Sequence, residues 1–220
     1  MNIREFYNVL LVRMNFREVL PSAYVKRKKI QECNEEIVLL NSPNIMNGCD
    51  DVLCGRKTVV SKLENVANKL ESEGLCLMIY ELFRSKEKQH KLRMVQKNLL
   101  QQRFPDLSEQ ELLLQLDKRV ASEGGGHRTG GAVDLTICDC NGKPLDMGTS
   151  YEEFNKSTPT GSDSLTEEQK HNRCLLQTVM KNEGFVNYPL EWWHYSYGDK
   201  MWASYLNKPH AIYGNVNQYS

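Results

Sequence analysis

The sequence predicts an α+β fold, in which helices and hairpin-linked strands occupy separate stretches of the chain. Three features indicate this fold. Apolar residues recur at helical spacing over residues 58–73, and a continuous apolar run fills residues 75–80. A further apolar pattern, at residues 132–139, leads into an Asn-Gly pair of the kind that forms a hairpin turn.

The N-terminal part, residues 1–55, is the least regular part of the chain. It mixes short apolar runs with Asn, Pro and Gly turn signals, so its pattern predicts only a short strand or two. The helix over residues 58–73 is expected to end at Gly74, which is placed as a C-cap residue. The apolar run that follows, 75–80, is bounded by polar residues and predicts a buried strand.

The middle of the chain predicts two helices and a strand. Residues 86–103 are polar and helix-prone, which indicates a solvated helix. Ser108 and Glu111 have the spacing of a capping box, so a second helix is expected from there to about Ala121. Residues 132–139 then form a strand of mostly apolar residues.

The C-terminal third begins with the Asn-Gly turn at 141–142, after which the segment KPLDM is expected to return as a strand. Thr166 and Gln169 form a second capping-box pattern, and the helix they open is expected to end near Gly184. The tail FVNYPLEWWHYSYGDKMWASY is rich in aromatic residues and is expected to favour strands.

Length and charge limit the functional classes. With 220 residues, 40% of them apolar, we expect a single domain over residues 1–220, or at most one domain with an appended arm. The N-terminal part, 1–55, is poorly characterised. The 28 basic residues balance the 28 acidic ones, which argues against a nucleic-acid-binding protein.

The N-terminus and the cysteines bear on location. No apolar run reaches the roughly 18 residues of a transmembrane helix, so no membrane partner is expected. Charges at Arg4, Glu5 and Arg13 interrupt the N-terminal apolar stretch, which also lacks the cleavage site of a signal peptide. Seven cysteines, an odd number, fit reduced thiols. A cytoplasmic protein is therefore expected, with a periplasmic one as the alternative.

The stretch EGGGHRTGGAVD places a histidine in a glycine-rich loop and an acid inside the strand that the loop enters. A glycine-rich approach lets the backbone fold back, so His127 and Asp134 can converge on one metal ion. A third ligand must come from elsewhere, and His194 is the best candidate among the five histidines because Glu191 accompanies it.

Glu191 and His194 are three positions apart and would face opposite sides of a regular strand. We therefore predict a turn or bulge at residues 192–193 that brings both to one side. There Glu191 can act as a general base beside a metal-activated water. Arg84, which follows the strand of residues 75–80, is placed to stabilise a developing oxyanion.

These segments resemble the zinc D,D-peptidases of the D-alanyl-D-alanine dipeptidase group, the vancomycin-resistance dipeptidase family. HRTGGAVD matches that family's His-x-x-Gly-x-Ala-x-Asp core, and EWWHY is similar to its Glu-x-x-His element with a double tryptophan. IYELFR resembles its Tyr-Asp-x-Tyr-Arg-Pro segment, and LDMGTSYEEF resembles the strand and turn after the zinc aspartate. The resemblance is good over positions 75–220 and poor over positions 1–70.

The resemblance implies a fold, an activity and a set of roles. The family's fold is a small α+β domain with a central antiparallel sheet, flanked by helices. Its reaction is hydrolysis of D-alanyl-D-alanine to two D-alanines. By this resemblance His127, Asp134 and His194 hold one zinc ion per chain. Glu191 is then the catalytic base, and Arg84 stabilises the transition state.

The chain departs from the family pattern at three places. Gly125 stands where the family often has serine, Ser85 where proline follows the arginine, and Glu152 where aspartate is common. None of these departures removes a predicted ligand or the predicted base, so the departures bear on the substrate and leave the chemistry intact.

Recognition of a dipeptide requires a small cavity and groups for both substrate termini. We expect Glu152 or Glu153 to bind the ammonium group, and Tyr80, Tyr151 and Trp193 to wall the pocket.

Two alternatives stay open. An open cleft would favour a D,D- or L,D-carboxypeptidase that trims peptidoglycan stem peptides. The other alternative is a catalytically silent module that binds cell-wall fragments, although such a module has no need of Glu191. The oligomeric state is undecided.

Overall fold

The computed structural model describes residues 1–14, 18–120 and 125–216. Its helices are α1 (Ile3–Arg13), α2 (Ser22–Lys26), α3 (Lys57–Glu71), α4 (Lys86–Arg103), α5 (Glu109–Arg119), α6 (Glu167–Asn182) and α7 (Lys200–Tyr205). Its strands are β1 (Ile37–Leu39), β2 (Ile45–Asn47), β3 (Cys54–Arg56), β4 (Leu75–Glu81), β5 (Ala132–Asp139), β6 (Val186–Asn187) and β7 (His194–Ser196). A short 3-10 helix covers Gly126–Thr129.

A five-stranded sheet with the order β2-β4-β5-β7-β6 forms the centre of the fold. All neighbouring pairs are antiparallel except β2 and β4, which run parallel. A parallel pair needs a crossover connection, and α3 lies in the segment that connects these two strands. The predicted α+β class, with a mainly antiparallel central sheet flanked by helices, is thus confirmed.

The main core lies between this sheet and the helices α3 and α6. The apolar face of α3 is fully buried at Leu63, Val66 and Leu70, because these residues share one side of the helix. Leu176 and Met180 of α6 join the same cluster. β5 is buried along nearly its whole length, since it lies at the centre of the sheet.

The hairpin of α4 and α5 stands apart from the main core. Leu100, Leu112 and Leu116 form a separate small cluster between these two helices. The predicted capping box of Ser108 and Glu111 is present at the start of α5. The predicted end of this helix, Ala121, lies outside the described residues.

Three local expectations need correction. The returning segment KPLDM forms only an isolated bridge between Cys138 and Pro144. Two backbone hydrogen bonds flank it, from the Asp139 N–H to the Lys143 carbonyl and from the Leu145 N–H to the Ile137 carbonyl, so the pairing is too short for a strand. The aromatic tail contains α7 as well as two short strands, since Asp199 caps that helix by accepting a hydrogen bond from the Trp202 N–H at 2.8 Å. The N-terminal part, 1–55, contains α1 and α2, which its sequence did not predict.

Two further expectations concern thiols and membranes. All seven cysteines lie among the described residues and stand outside any disulfide bond there. Within the described ranges, no helix combines the length and the apolar character that a membrane span requires. One domain over residues 1–220 remains a prediction.

Candidate metal centre and active site

His127 is carried by the 3-10 helix that leads into β5. The backbone at Gly126 passes so close to its neighbours that a Cβ atom there would lie 2.3 Å from Asp199 Oδ2. Gly130, with φ of +70°, ends the turn in the left-handed region that favours glycine. The glycines around His127 therefore serve to fold the loop tightly back onto the sheet.

Asp134 and His194 are brought together by strand register. The Cα atoms of Asp134 on β5 and His194 on β7 are direct partners in the antiparallel ladder, so their side chains emerge on the same face. Glu81, at the end of β4, is the partner of Asp134 on the other side. A polar row thus crosses the central strands at one level.

The three side chains have the spacing of metal ligands. His127 Nε2 lies 3.2 Å from His194 Nδ1 and 3.2 Å from Asp134 Oδ1. His194 Nδ1 lies 2.8 Å from the same carboxylate oxygen. Donors of a tetrahedral zinc site, each ~2.0–2.1 Å from the ion, stand about 3.3 Å apart. This donor set of two imidazoles and one carboxylate therefore fits a divalent metal ion.

Surrounding groups orient these donors. His127 Nδ1 lies 2.8 Å from the Leu82 carbonyl oxygen, and an N–H there leaves the lone pair on Nε2 facing Asp134. The Tyr151 hydroxyl donates to Asp134 Oδ2 at 3.1 Å. Burial alone would raise the pKa of Asp134, but His127 and His194 hold the pKa well below its usual range. The centre therefore keeps a buried negative charge.

Glu191 reaches the same site through a turn. Residues 192 and 193 form a turn, as the spacing predicted, and the His194 N–H donates to the Glu191 carbonyl oxygen at 3.3 Å. Asn187 Nδ2 donates to that carbonyl at 3.1 Å and braces the turn. Burial raises the pKa of the Glu191 carboxyl to about 8, against the lowering effect of His194. A carboxyl with such a pKa has the property that proton exchange near neutral pH requires.

Arg84 is held rigidly beside the centre. Its Nε donates to Glu81 Oε2 at 2.9 Å, and its Nη2 also contacts that oxygen. Its Nη1 donates to Gln89 Oε1 at 2.9 Å. Burial alone would lower the pKa of Arg84, but the hydrogen bond and charge of Glu81 raise it. The guanidinium is therefore a fixed positive charge that keeps two N–H groups beyond these bonds.

A cavity of about 190 Å³ connects these groups. It is lined by the predicted metal ligands and catalytic residues, which are Arg84, His127, Asp134, Glu191 and His194. Trp193 and Glu152 also line it, as two of the predicted substrate contacts. Sequence reasoning missed further lining residues, namely Gln89, Arg119, Phe154 and Tyr188.

The other predicted substrate contacts lie elsewhere. Tyr80, Tyr151 and Glu153 line a neighbouring cavity instead. Glu153 accepts hydrogen bonds from the Ser150 N–H and from Asn155, so this carboxylate serves the local turn. Tyr151 turns its hydroxyl toward Asp134, which makes it a support of the metal centre. Of the two acids expected at the ammonium position, the geometry favours Glu152.

Comparisons with known proteins agree with this architecture. A family model described as D-ala-D-ala dipeptidase matches residues 50–214. A D-alanyl-D-alanine dipeptidase of Synechocystis sp. is 36% identical over 107 residues, which are 41% of this chain and 43% of that protein. One from Escherichia coli is 30% identical over 139 residues, which are 63% of this chain and 64% of that protein. The chain thus spans about half the length of the curated relatives it matches.

Solved structures show a similar fold. The vancomycin-resistance D,D-pentapeptidase VanY, as a variant in complex with Zn(II), has a TM-score of 0.50 at 15% identity, covering 87% of this chain and 89% of that one. VanYB in complex with D-alanine-D-alanine has a TM-score of 0.50 at 15% identity, covering 81% of this chain and 88% of that one. At this identity the likeness supports the fold alone.

Proposed function

The chain belongs to the D-ala-D-ala dipeptidase family, and from this premise we propose that it hydrolyses the dipeptide D-alanyl-D-alanine to two D-alanines with one zinc ion per chain. The observation that carries the proposal is the convergence of two imidazoles and two carboxylates on one small cavity. A relative's name would not suffice, because activity depends on the site.

The proposed ligands are His127 Nε2, Asp134 Oδ1 and His194 Nδ1. Three protein ligands are typical of catalytic zinc, whereas structural zinc usually takes four. When bound, zinc supplies a Lewis acid that polarises the peptide carbonyl and acidifies a water molecule. The hydrogen bond between His127 Nδ1 and the Leu82 carbonyl supports this assignment, because it fixes the tautomer that a ligand at Nε2 needs.

Glu191 is the proposed general base. Its carboxylate takes a proton from the attacking water as the oxygen adds to the peptide carbonyl carbon. The same carboxyl then gives a proton to the leaving nitrogen as the C–N bond breaks. The pKa of about 8 that burial imposes suits both transfers, and a nearby cation would draw the pKa downward.

Arg84 is the proposed stabiliser of the negative charge that develops on the carbonyl oxygen. Glu81 and Gln89 already hold its guanidinium in place, so little reorganisation is needed during the reaction. Glu152 is the proposed partner of the substrate ammonium. Burial raises the pKa of Glu152, and the negative charge of nearby Asp134 raises it further. A bound cation would relieve this repulsion between carboxylates.

The size of the cavity supports a dipeptide over a longer peptide. Pockets for drug-sized ligands have volumes of ~300–1,000 Å³. The present cavity, at about 190 Å³, is smaller than that range. A carboxypeptidase acting on peptidoglycan stem peptides would need an extended cleft beyond this cavity.

The test is a substrate panel with metal analysis. The purified protein is incubated with D-Ala-D-Ala, L-Ala-L-Ala and a muramyl pentapeptide, with and without a chelator, and its zinc content is measured. We expect chelator-sensitive cleavage of D-Ala-D-Ala alone. Preference for the pentapeptide would replace the dipeptidase with a carboxypeptidase, and cleavage unaffected by chelation would rule out the metal.

A pair of variants isolates the base. Glu191→Gln should retain zinc and lose roughly 10²- to 10⁴-fold in turnover, since the general base is removed while the ligands remain. Glu153→Gln is the matched control, because this carboxylate lines the neighbouring cavity, and it should keep full activity. A Glu191→Gln protein with undiminished turnover would exclude Glu191 as the base.

A further inference from the structure

The α4–α5 hairpin forms one wall of the active-site cavity. Six of the lining residues come from the hairpin and its C-terminal end, namely Gln89, Leu92, Gln96, Asp117, Arg119 and Val120. The two helices pack around their own leucine cluster instead of joining the main core. The residues of this wall therefore face the cavity from outside the sheet that carries the proposed metal ligands.

Arg119 is the cation of this wall for which the described residues offer no counter-ion. Arg93 of the same hairpin pairs with Asp117 at 2.6 Å, and Arg84 pairs with Glu81. Within the described part of the chain, no carboxylate lies in ion-pair distance of Arg119, and no hydrogen bond of its guanidinium is found. Burial lowers the pKa of Arg119, and nearby Arg103 lowers it further, so this environment favours a bound anion.

An aromatic platform holds the Arg119 guanidinium in place. Its central carbon lies 5.2 Å from the centroid of the Phe154 ring, within the range of a cation–π contact. The Phe154 ring in turn packs edge-on against Trp193 at 5.6 Å. Phe154 and Trp193 both line the cavity, so the stack places a planar cation at its wall with N–H groups free to donate.

The opposite charge is also present without a partner. Glu152 lines the cavity and makes no salt bridge within the described residues. A cavity lined by an acid and an arginine that have no ion-pair partner among the described residues is complementary to a zwitterion. A free dipeptide is such a molecule, with an ammonium group at one end and a carboxylate at the other.

We propose that Arg119 binds the C-terminal carboxylate of the substrate and so makes the α4–α5 hairpin the element that selects peptides with a free carboxyl end. This assignment rests on the proposed peptidase function. Arg84 is the less suitable partner, because Glu81 and Gln89 already occupy most of its donors. A guanidinium can bind a carboxylate through two parallel hydrogen bonds, which gives both strength and orientation.

The experiment measures binding separately from turnover. Zinc-loaded Glu191→Gln protein is titrated calorimetrically with D-Ala-D-Ala and with D-Ala-D-alaninamide, which lacks the carboxylate. The same titrations are repeated with double variants that carry Arg119→Gln, Arg119→Lys or Arg103→Gln in addition to Glu191→Gln. Arg103 is the matched control, since it is an exposed arginine close to Arg119 that does not line the cavity.

We expect Arg119→Gln to weaken binding of the dipeptide roughly 10- to 100-fold, as loss of a charge-assisted hydrogen bond does, and to leave binding of the amide unchanged. Arg119→Lys should restore part of the loss, and Arg103→Gln should have little effect. In the Glu191-intact enzyme, Arg119→Gln should raise KM for the dipeptide more than it lowers kcat.

Three results would overturn the assignment. The first is an equal loss for dipeptide and amide, which would indicate a structural role for Arg119. The second is a loss of dipeptide affinity in Arg103→Gln as large as that in Arg119→Gln, which would indicate long-range electrostatic attraction in place of direct binding by Arg119. The third is absence of dipeptide binding. If the dipeptide binds through Arg119 and the intact protein still fails to cleave it, the proposed function fails while this assignment stands.

Discussion

At the scale of single residues, the hydroxyl of Tyr151 orients the carboxylate of Asp134, a proposed metal ligand. It donates to Asp134 Oδ2 at 3.1 Å, while its ring stacks on Tyr80 with centroids 4.4 Å apart. The same ring packs edge-on against Trp193 at 5.6 Å. Because aromatic contacts fix the ring on two sides, the hydroxyl holds the carboxylate in the orientation that a ligand requires.

We therefore expect Tyr151→Phe to lower zinc affinity about tenfold, at the lower end of the effect of outer-sphere partners. The aromatic contacts remain in this variant, so the fold should be unchanged. Competition with a chromophoric chelator measures the affinity. Tyr80→Phe is the control, because Tyr80 stacks on Tyr151 without a bond to Asp134. Equal affinities of the Tyr151→Phe protein and the wild type would show that Asp134 is oriented without this hydroxyl.

The sequence was enough to predict that His127, Asp134 and His194 would meet, because the chain has only five histidines and one of them lies in a glycine-rich loop before a strand that contains an acid. The partners that orient them could not be predicted. Glu81 reaches the level of Asp134 because the ladder between β4 and β5 shifts between Ile79 and Glu81. Such an irregularity re-aims side chains and leaves no local signal in the sequence. For the same reason the sequence could not show that Tyr80 and Glu153 face the neighbouring cavity and not the active-site cavity.

Arg128 illustrates the same limit. An arginine in a glycine loop is normally solvated, yet Arg128 is only 6% exposed. Its Nη1 lies 3.4 Å from the Arg84 carbonyl oxygen, so its side chain packs beneath the segment that carries Arg84. This burial follows from contact between distant segments, which a single sequence does not reveal.

At the scale of elements, the two capping boxes show how well local signals predict helices. The Ser108 box opens α5 and the Thr166 box opens α6, both as their spacing predicted. The sequence did not predict α1 or α2. α1 has few buried residues and so lacks a marked apolar face, and α2 has only 5 residues. Helices of this kind depend on their neighbours more than on their own pattern.

The capping boxes also permit a matched comparison of local and global stability. Ser108→Ala should remove about 1 kcal/mol from α5, which belongs to the separate leucine cluster of the hairpin. Native-state hydrogen exchange should then show amides of α5 exchanging about fivefold faster, with β5 unaffected. Thr166→Ala should instead speed exchange in β5 as well, because α6 packs into the main core. Equal responses in β5 would show that the hairpin unfolds only with the whole molecule.

At the scale of the whole molecule, the N-terminal segment packs against the C-terminal segment and against the loop that carries His127. Its backbone pairs with the C-terminal segment, where the Gln31 N–H donates to the Ala211 carbonyl at 2.8 Å. Arg56 joins both segments to the loop that carries His127, and its Nη2 donates to the Gly214 carbonyl oxygen at 3.2 Å. Its Nε donates to the Thr129 carbonyl at 2.8 Å, and its Nη2 lies 3.2 Å from Glu32 Oε2. The irregular first part of the chain thus supports the turn that carries His127.

Glu35 is a second carboxylate at this contact between the two segments, beside Glu32. Its carboxylate accepts hydrogen bonds from the Thr58 N–H at 2.8 Å and from the Thr58 and Tyr213 hydroxyls. Burial alone would raise the pKa of Glu35, but these hydrogen bonds, with the charge of Arg56, lower it. A carboxyl whose folded pKa lies below its unfolded value stabilises the protein above the unfolded pKa. That stability disappears as the pH falls through the folded pKa.

We therefore expect Glu35→Gln to cost about 1 kcal/mol of unfolding free energy at pH 7, a modest figure because the group is partly solvated. The difference from wild type should close below about pH 4, once the unfolded-state carboxyl of pKa ~4.3 is protonated and the folded one follows. Urea unfolding at several pH values measures it, with chelator present so that metal-linked protons do not contribute. Glu36→Gln is the control, since its pair with Lys57 is exposed, and it should change little at any pH. A Glu35→Gln deficit that stays constant from pH 7 to pH 3 would show that the carboxylate charge does not hold the two chain segments together.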